Sequence, residues 1–447
     1  MTSVTFVVLG ATGDLAKRKL FPAIARLVED KKIKNFAIVG VSRSNKQISS
    51  ILKQSKKFAK NCKGWKQVEK RSSYLKLDFY NKEDYVKLSQ HLNEVEKKHN
   101  LKTNRMFYLA TLPQHFDTIT LNLSKSKLAK TKGWSRVVYE KPFGNDLKSA
   151  KKINKCIRRV FKEKNVYRID HYLGKELVGN IALIRFTNRV LEPLWNWKHV
   201  ESVHIVMSEK INVDSRGRFY DQYGALKDVV QNHALQLLAL TAMEPPKSLT
   251  GEDIRSKKAK ILKKTKVKKV LLGQYAGYRK TKGVKSNSKT ETFAALKLVV
   301  NNNRWQGVPF YIKAGKSLDK KDVSIHLNFK KVDCLLSKVC PSDTNHFTMK
   351  IQPDAGFHLK LNAKVPGKKE NIMPVKMDFA ESSFGMNTPE AYETLLEDVI
   401  RGDQSVFVRN DEIEHAWKII DSVKKEKVYS YKKGSKGPKQ LEKWSWD

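Results

Sequence analysis

The sequence predicts an α/β domain with a parallel, doubly wound sheet, followed by an α+β domain with a large, mainly antiparallel sheet. Up to about residue 178, short apolar runs alternate with segments of helical character, which is typical of a parallel sheet. Beyond that point, strand-like segments follow one another with few helices between them, which is typical of an antiparallel sheet. We therefore expect a first domain at residues 1–178 and a second domain at residues 179–447.

Short apolar runs that are rich in β-branched or aromatic residues supply the strands of both domains. In the first domain they are TFVVLG, FAIVGVSR, YLKLDFY, NRMFYLAT, SRVVYEKPFG and KNVY. In the second domain they are SVHIVMSEK, ETFAALKLVVN, VPFYIKAGK, DVSIHLNFKK, HFTMKIQP and HLKLNAKVPG, with helices expected at GALKDVVQNHALQLLALTAM and TPEAYETLLEDVIRGD. Because ligands bind beyond the carboxyl ends of the strands in open α/β sheets, polar residues at those ends are the first candidates for a site.

The composition limits the class of protein. The 447 residues, 40% of them hydrophobic, can bury a large core, and no run is long and apolar enough to predict a transmembrane helix. The N-terminus runs directly into a glycine turn, which favours a first strand over a signal peptide. Four cysteines without CxxC spacing fit a reducing cytoplasm and argue against a zinc site or a disulfide framework: Cys62, Cys156, Cys334 and Cys340.

The net charge of +43 has two interpretations. It is typical of nucleic-acid binding or of capture of anionic ligands, but it also fits a general enrichment in lysine over the surface. Residues 31–71 and 255–286 are the most basic segments, and neither contains a nucleic-acid-binding motif. We therefore predict no specific nucleic-acid partner, and we expect the charge to steer phosphorylated ligands.

The first apolar run ends in GATGDLAKRKL, residues 10–20, which predicts a Rossmann-like dinucleotide site. Gly10 permits a tight turn, Gly13 lets a phosphate approach the backbone, and the following helix start offers N–H groups to a pyrophosphate. The candidate cofactor residues of this turn are Gly10, Thr12, Gly13, Asp14 and Leu15. The spacing differs from GxGxxG, and an ordinary strand–helix turn is the alternative.

The second apolar run favours NADP over NAD. A site that prefers NAD needs an acidic residue there for the ribose 2′-hydroxyl, whereas this run ends in Ser42, Arg43 and Ser44. Arginine accommodates a 2′-phosphate. A surface arginine of a basic protein is the alternative.

The segment RIDHYLGKE, residues 168–176, places polar groups at the end of a predicted strand. A solvated loop is the simpler interpretation of such a charged run. Ile169 and Leu173 are apolar, however, and Gly174 interrupts the run, which favours a site at the strand end.

These segments and several others, in this order along the chain, resemble the glucose-6-phosphate dehydrogenase family. The motifs are GATGDLAKRKLFPA, EKPFG (140–144), RIDHYLGKE, DVVQNH (228–233), TETFAALKLVVNNNRWQGVPFYIKAGKSL (290–318), IQPDAG (351–356) and NAKVPG (362–367). The resemblance covers residues 5 to about 420. It implies oxidation of glucose 6-phosphate at C1 with NADP, without a metal, and a homodimer or homotetramer.

The resemblance also implies roles for individual residues. His233 matches the catalytic base and Asp170 the carboxylate that orients it, although a lone histidine in an apolar helix is more often a core residue. The positions that match substrate contacts are Lys141, His171, Tyr172, Lys175, Glu209, Asp228, Lys316, Lys321 and Gln352. Lys141 also faces the cofactor in the family, and Asp78 and Phe79 are expected at the end of the third strand, near the adenine.

Two other functions stay open at this point. A dinucleotide-fold oxidoreductase for another sugar or sugar phosphate would share the glycine turn, but an enzyme for a neutral sugar would not need the polar cluster at 171–175. A catalytically idle, basic nucleic-acid-binding protein would explain the charge, but not the retention of Asp170, His171, Lys175 and His233.

Overall fold

A computed structural model describes residues 3–332, 344–368, 372–384, 389–424 and 426–444, so Cys334 and Cys340 lie outside the described residues. The chain forms two compact units. Unit 1 comprises residues 1–176, 248–255 and 388–414, and unit 2 comprises residues 177–247, 256–387 and 415–447. The single domain boundary after residue 178 stays a prediction, and the structure adds two later segments that belong with unit 1.

Unit 1 contains a six-stranded sheet in which all the neighbouring strands are parallel. The strands are β1 (Val4–Leu9), β2 (Phe36–Ser42), β3 (Ser72–Lys76), β4 (Arg105–Leu109), β5 (Ser135–Tyr139) and β6 (Val166–Arg168). Their order is β3-β2-β1-β4-β5-β6, so the direction of strand addition reverses beside β1. This is the doubly wound, Rossmann-like arrangement that the sequence predicts, and its ligand position is at the carboxyl end of β1.

Helices cover this sheet and bury β1 completely, which explains its unbroken apolar sequence. They are α1 (Phe21–Glu29), α2 (Ile48–Ser55), α3 (Trp65–Lys70), α4 (Lys82–Lys98), α5 (Phe116–Lys125), α6 (Leu147–Arg158) and, from the later segment, α11 (Ala391–Arg401). Leu395, Leu396 and Val399 of α11 lie in the same apolar core as α1. Arg26 of α1 donates to Glu393 at 2.7 Å, so α11 is an integral part of unit 1.

Asp398 of α11 makes the stability of unit 1 dependent on pH. Burial, followed by the nearby carboxylates of Asp403 and Glu397, raises the pKa of Asp398 to about 7, against about 4 in an unfolded chain. The folded state then holds a proton that the unfolded state has lost, so the free energy of unfolding falls as pH rises from about 4 to about 7.

We therefore expect Asp398→Asn, which removes this buried charge, to raise the free energy of unfolding near pH 8 by on the order of 2 kcal/mol. Near pH 3, below the pKa of Asp398 in both states of the wild type, the gain should largely vanish. Urea unfolding at the two pH values measures this, and an equal gain at both would contradict it.

Unit 2 contains a nine-stranded sheet in the order β14-β13-β12-β11-β7-β10-β9-β8-β15. The strands are β7 (Val200–Ser208), β8 (Thr265–Tyr275), β9 (Phe293–Val300), β10 (Pro309–Gly315), β11 (Asp322–Phe329), β12 (His346–Gln352), β13 (Gly356–Lys364), β14 (Ile372–Ala380) and β15 (Val428–Tyr431). The pairs β7–β10 and β8–β15 are parallel, and the remaining pairs are antiparallel. The predicted fold class, with its mainly antiparallel second sheet, is confirmed.

The helix predicted over GALKDVVQNHALQLLALTAM is confirmed, but it is not α-helical throughout. The structure has α8 (Gly217–Ala225), which is interrupted at Gly224, then a π-helical segment at Leu226–Ala234 and then α9 (Leu235–Ala242). Three further helices contain residues of both units: α7 (Glu176–Thr187), α10 (Gly251–Lys264) and α12 (Asn410–Asp421). Within the part of the chain that the structure describes, no helix has the length and apolar character needed to cross a membrane.

Candidate functional site

The turn after β1 has the backbone that the predicted pyrophosphate site requires. Gly10 adopts φ +95°, and a Cβ there would overlap the carbonyl oxygen of Ala110, so only glycine fits. Its N–H donates to the carbonyl of Val41 at 2.7 Å, and its own carbonyl accepts from Gly13 at 2.9 Å. Helical structure begins at Asp14, and the first N–H groups of a helix have no acceptor within the helix. Thr12, Asp14 and Leu15 thus lie at the helix start, where N–H groups are available to an anion.

A network of hydroxyl groups fixes the loop that carries Arg43. Ser42 Oγ lies 3.0 Å from Thr12 Oγ1 and 2.9 Å from the hydroxyl of Tyr74, which in turn donates to the carbonyl of Ser44 at 2.5 Å. This network joins the glycine turn to the end of β2. The side chain of Arg43 is exposed beside it and contributes to a lowered pKa of His115, whose main cause is burial. Hydroxyl groups, helix N–H groups and a guanidinium together fit a phosphorylated dinucleotide.

The positions of Asp78 and Phe79 correct the sequence prediction, since β3 ends at Lys76 and both residues lie in the turn beyond it. Asp78 is exposed, and its Oδ1 accepts from the N–H of Tyr80 at 3.1 Å. Phe79 is buried, and its ring packs against His115 with the ring centroids 5.6 Å apart. A cofactor role of Phe79 would therefore have to use its backbone.

EKPFG follows β5, and the peptide bond between Lys141 and Pro142 is cis, a geometry that is found almost only before proline. Glu140 is half-buried and accepts hydrogen bonds from the hydroxyls of Tyr108 at 2.5 Å and Tyr392 at 3.2 Å. Burial raises the pKa of Glu140. Two tyrosines, one of them from α11, thus fix the residue that precedes Lys141, and Lys141 itself is partly exposed at the end of β5.

RIDHYLGKE begins with the last residue of β6 and ends with the first residue of α7, and between them it forms a compact turn rather than a solvated loop. Asp170 is only 2% exposed; its Oδ1 accepts from the N–H of Tyr172 at 3.0 Å and its carbonyl from Leu173 at 2.9 Å. Gly174 packs so closely on α11 that a Cβ would lie 2.7 Å from Cγ of Leu395. The turn is therefore held by the end of the sheet on one side and by α11 on the other.

The three predicted phosphate ligands lie together on this turn. The rings of His171 and Tyr172 are 4.9 Å apart, and Nζ of Lys175 lies 4.4 Å from the centre of the Tyr172 ring. All three side chains are partly exposed. An imidazole, a phenol and an ammonium group side by side supply several donors to a dianion.

In unit 2, four predicted substrate residues lie at neighbouring strand ends on one side of the nine-stranded sheet. Glu209 follows β7, Lys316 follows β10, Lys321 precedes β11, and Gln352 ends β12. Ser208 is paired with both Gly315 and Asp322, and Gln352 is paired with Val323. These pairings place the four strand ends next to one another.

Glu209 and Lys316 form a direct pair. Nζ of Lys316 donates to Oε2 of Glu209 at 2.7 Å, and the N–H of Glu209 donates to the carbonyl of Gly315 at 2.9 Å. Lys316 is buried, whereas Glu209 keeps about a quarter of its side chain exposed. Lys321 is exposed and Gln352 is half-buried, so all but Lys316 present polar atoms to solvent or to a ligand.

Asp228 and His233 both lie in the π-helical segment, and both are buried. Residues five apart diverge by more than a quarter turn on an α-helix. Winding with i→i+5 hydrogen bonds brings them closer to one face. The N–H of His233 donates to Oδ1 of Asn232 at 2.7 Å. The segment packs on β7, β9 and β10, so the sheet supports the helix that carries both residues.

Several residues that shape these sites carry no signal in the sequence. Tyr74 and Tyr392 are single tyrosines that become relevant only through contacts with Ser44 and Glu140. Glu291 is a further example, because its carboxylate accepts from the N–H of Leu226 at the start of the π-helical segment.

Two family models together match almost the entire chain. Residues 7–180 match the model described as glucose-6-phosphate dehydrogenase, NAD binding domain, and residues 182–446 match glucose-6-phosphate dehydrogenase, C-terminal domain. The two matches are consecutive and together leave only short ends of the chain uncovered.

Similar proteins have the same family name. Glucose-6-phosphate 1-dehydrogenase of Bacillus subtilis (strain 168) is 42% identical, with 97% of this chain and 95% of the relative covered. The Chlamydia pneumoniae enzyme of the same name is 41% identical, with 98% and 93% covered. A solved structure of glucose-6-phosphate dehydrogenase in complex with its substrate glucose-6-phosphate has a TM-score of 0.93 and 33% identity over 99% of this chain and 97% of its own.

Proposed function

Because this chain belongs to the glucose-6-phosphate dehydrogenase family, we propose that it oxidises D-glucose 6-phosphate at C1 to 6-phospho-D-glucono-1,5-lactone with NADP. This is the first step of the oxidative pentose phosphate pathway. The observation that carries the proposal is the likeness over almost the full length of the chain. The cluster at 171–175 supports a phosphorylated substrate. A neutral sugar would not require that cluster.

In this proposal, His233 takes the proton from the C1 hydroxyl, which makes it a general base. A neutral imidazole suits the role because its ordinary pKa lies near the working pH. Asp170 would hold the imidazole in the correct tautomer and stabilise its protonated form. The burial of both residues supports this, because exclusion of water strengthens the interaction of a carboxylate with an imidazolium.

His171, Tyr172 and Lys175 would bind the substrate phosphate. Their mutual contacts support the proposal, because one phosphate can reach all three groups only if they are adjacent. The ammonium group supplies charge, and the imidazole and the phenol supply directional donors.

Glu209, Asp228, Lys316, Lys321 and Gln352 would contact the sugar. Carboxylates accept hydrogen bonds from hydroxyl groups, and Lys316 would hold Glu209 in place through its 2.7 Å contact. Lys321 keeps a positive charge without the two-pronged geometry that an arginine would offer.

NADP supplies the acceptor for the hydride that leaves C1. The residues proposed to hold it are the glycine turn (Gly10, Thr12, Gly13, Asp14 and Leu15), Arg43, Asp78, Phe79 and Lys141. Helix N–H groups would meet the pyrophosphate, and Arg43 would meet the 2′-phosphate. The exposure of Arg43 beside the hydroxyl network supports this assignment.

Arg43→Ala should raise KM for NADP about tenfold or more, whereas KM for NAD should change less than about threefold, because only NADP has the 2′-phosphate. Steady-state kinetics with both cofactors measure this. Lys46→Ala is the matched control, since Lys46 is an exposed cation of the same loop. Equal increases in KM for NADP and for NAD would show that Arg43 does not bind the 2′-phosphate.

The proposed function is tested by mixing the purified protein with glucose 6-phosphate and NADP and following the absorbance of the reduced cofactor. Galactose 6-phosphate, glucose and NAD are the comparison reactants. Fast reduction with glucose 6-phosphate and NADP is expected. Faster reduction with another sugar phosphate would favour a different sugar-phosphate oxidoreductase, and no reduction from folded protein would contradict both.

We further propose that the enzyme works in the cytoplasm as a homodimer or homotetramer without a nucleic-acid partner. Two relatives, both from Arabidopsis thaliana, are named as cytoplasmic, and the family resemblance suggests the oligomer. Light scattering after size-exclusion chromatography measures the oligomer. A salt-sensitive shift of DNA or RNA in a gel would contradict the absence of a nucleic-acid partner.

A further inference from the structure

The chain changes direction where the π-helical segment begins. Gly224 has φ +63° and ψ −177°, so α8 is interrupted there and the backbone starts a new helical path at Ala225 and Leu226. The first N–H groups of a helical segment have no acceptor in a preceding turn, and a buried start needs another partner.

Glu291 supplies that partner with two of its atoms. Its backbone carbonyl accepts from the N–H of Ala225 at 3.0 Å, and its side-chain Oε1 accepts from the N–H of Leu226 at 3.0 Å. A Cβ at position 224 would overlap the Glu291 carboxylate, so the glycine leaves the space that this side chain fills. A carboxylate at this end of a helical segment also interacts favourably with the helix dipole.

Glu291 is itself fixed to the edge of the sheet. The next residue, Thr292, donates its N–H to the carbonyl of Gly273 at 2.8 Å and accepts from the N–H of Lys316 at 3.0 Å. Glu291 and Thr292 therefore make two connections. Glu291 binds the start of the π-helical segment that contains Asp228 and His233. Thr292 binds Lys316, whose side chain pairs with Glu209.

We propose that Glu291 is a positioning residue. It holds the π-helical segment, and with it Asp228, in place beside the strand ends of the unit 2 sheet that carry the proposed sugar-binding residues. This inference rests on the proposed function for the identity of the substrate. Asp228 is only two residues beyond Leu226, in the first turn of the segment. His233 lies seven residues beyond Leu226, near the other end of the segment, and is farther along the chain from the contact with Glu291. Loss of the side-chain contact should therefore affect sugar binding more than proton removal.

Glu291→Ala should raise KM for glucose 6-phosphate at least about fivefold, whereas kcat should stay within about threefold and KM for NADP within about twofold. Glu291→Gln keeps an oxygen acceptor for the N–H of Leu226, so it should restore KM to within about twofold of the wild type. Burial raises the pKa of Glu291 to about 7, so the kinetics are measured near pH 8, where the carboxylate is mostly ionised.

A purely structural role would lower the melting temperature and the active fraction without moving KM. Val300→Ala, at the other end of β9, is the matched control: Val300 is buried, so its truncation should lower the melting temperature and leave KM unchanged. If Glu291→Ala does not fold, Glu291→Asp carries the test, because its carboxylate is one methylene shorter and KM should again rise.

The inference would be overturned if KM for glucose 6-phosphate in Glu291→Ala equalled that of the wild type. It would also be overturned if this KM rose equally in Glu291→Ala and Glu291→Gln. The wild-type assay separates it from the proposed function, since inactivity of the wild type would contradict the proposed function alone. In that case, calorimetry with glucose 6-phosphate on the wild type and the variants still measures the predicted change, as a loss of affinity in Glu291→Ala. Unchanged affinity would again overturn the inference.

Discussion

Replacing His233 with asparagine is expected to lower kcat for glucose 6-phosphate oxidation by a factor of about 10² to 10⁴, the usual range for loss of a general base. Asparagine is polar and close in size, but it has no basic nitrogen at working pH. KM for glucose 6-phosphate should stay within about threefold, because the proposed phosphate and sugar contacts are other residues. Stopped-flow and steady-state kinetics measure both quantities.

A second buried histidine of the same unit provides the control. His204 lies in β7, its Nε2 is 3.0 Å from Oγ of Ser202, and burial lowers its pKa to about 4. His204→Asn should disturb packing and lower the melting temperature, yet kcat should remain near that of the wild type. Turnover that survives in His233→Asn, or that is lost equally in His204→Asn, would show that the base is assigned to the wrong residue.

Much of the fold could be predicted because its signals are local. The run TFVVLG is buried on both faces as β1, and Gly10 has the positive φ that the tight turn requires. Such features depend on a few neighbouring residues, so one sequence suffices to predict them.

Features that depend on distant residues could not be predicted in the same way. The segment with Asp228 and His233 has apolar spacing that fits an α-helix, and its π-helical winding begins where Glu291, more than 50 residues later, accepts the N–H of Leu226. The close packing of α11 on Gly174 is equally remote in sequence. Tertiary contacts decide these details, because local helix propensity does not distinguish an α-helical from a π-helical course.

The site residues show the same division. His171, Tyr172 and Lys175 are close in sequence and also close in space, so a motif alone indicates a shared ligand. Glu209 and Lys316 are 107 residues apart and meet only because β7 and β10 are parallel neighbours. That Glu209 and Lys316 contact the sugar stays a prediction, which the family resemblance supports.

Lys175→Ala is expected to raise KM for glucose 6-phosphate by a factor of about 10 to 100, which corresponds to loss of a charged hydrogen bond to phosphate. The ammonium group lies against the ring of Tyr172, so its removal deprives the cluster of its strongest positive charge. The change in kcat should be smaller, because the proposed base is a different residue. KM for NADP should remain unchanged within about twofold.

The high net charge makes a matched control essential, because any lysine of this chain adds to the field that attracts a phosphorylated substrate. Lys164→Ala removes the same charge from an exposed position in the short turn before β6, outside the cluster. Long-range attraction alone would give both variants a similar small rise in KM, which would disappear at high salt. A large rise confined to Lys175→Ala and retained at high salt would instead indicate direct contact. An unchanged KM in Lys175→Ala would place the phosphate elsewhere, since a dianion bound in this cluster has no other lysine within residues 170–175 to replace the lost charge.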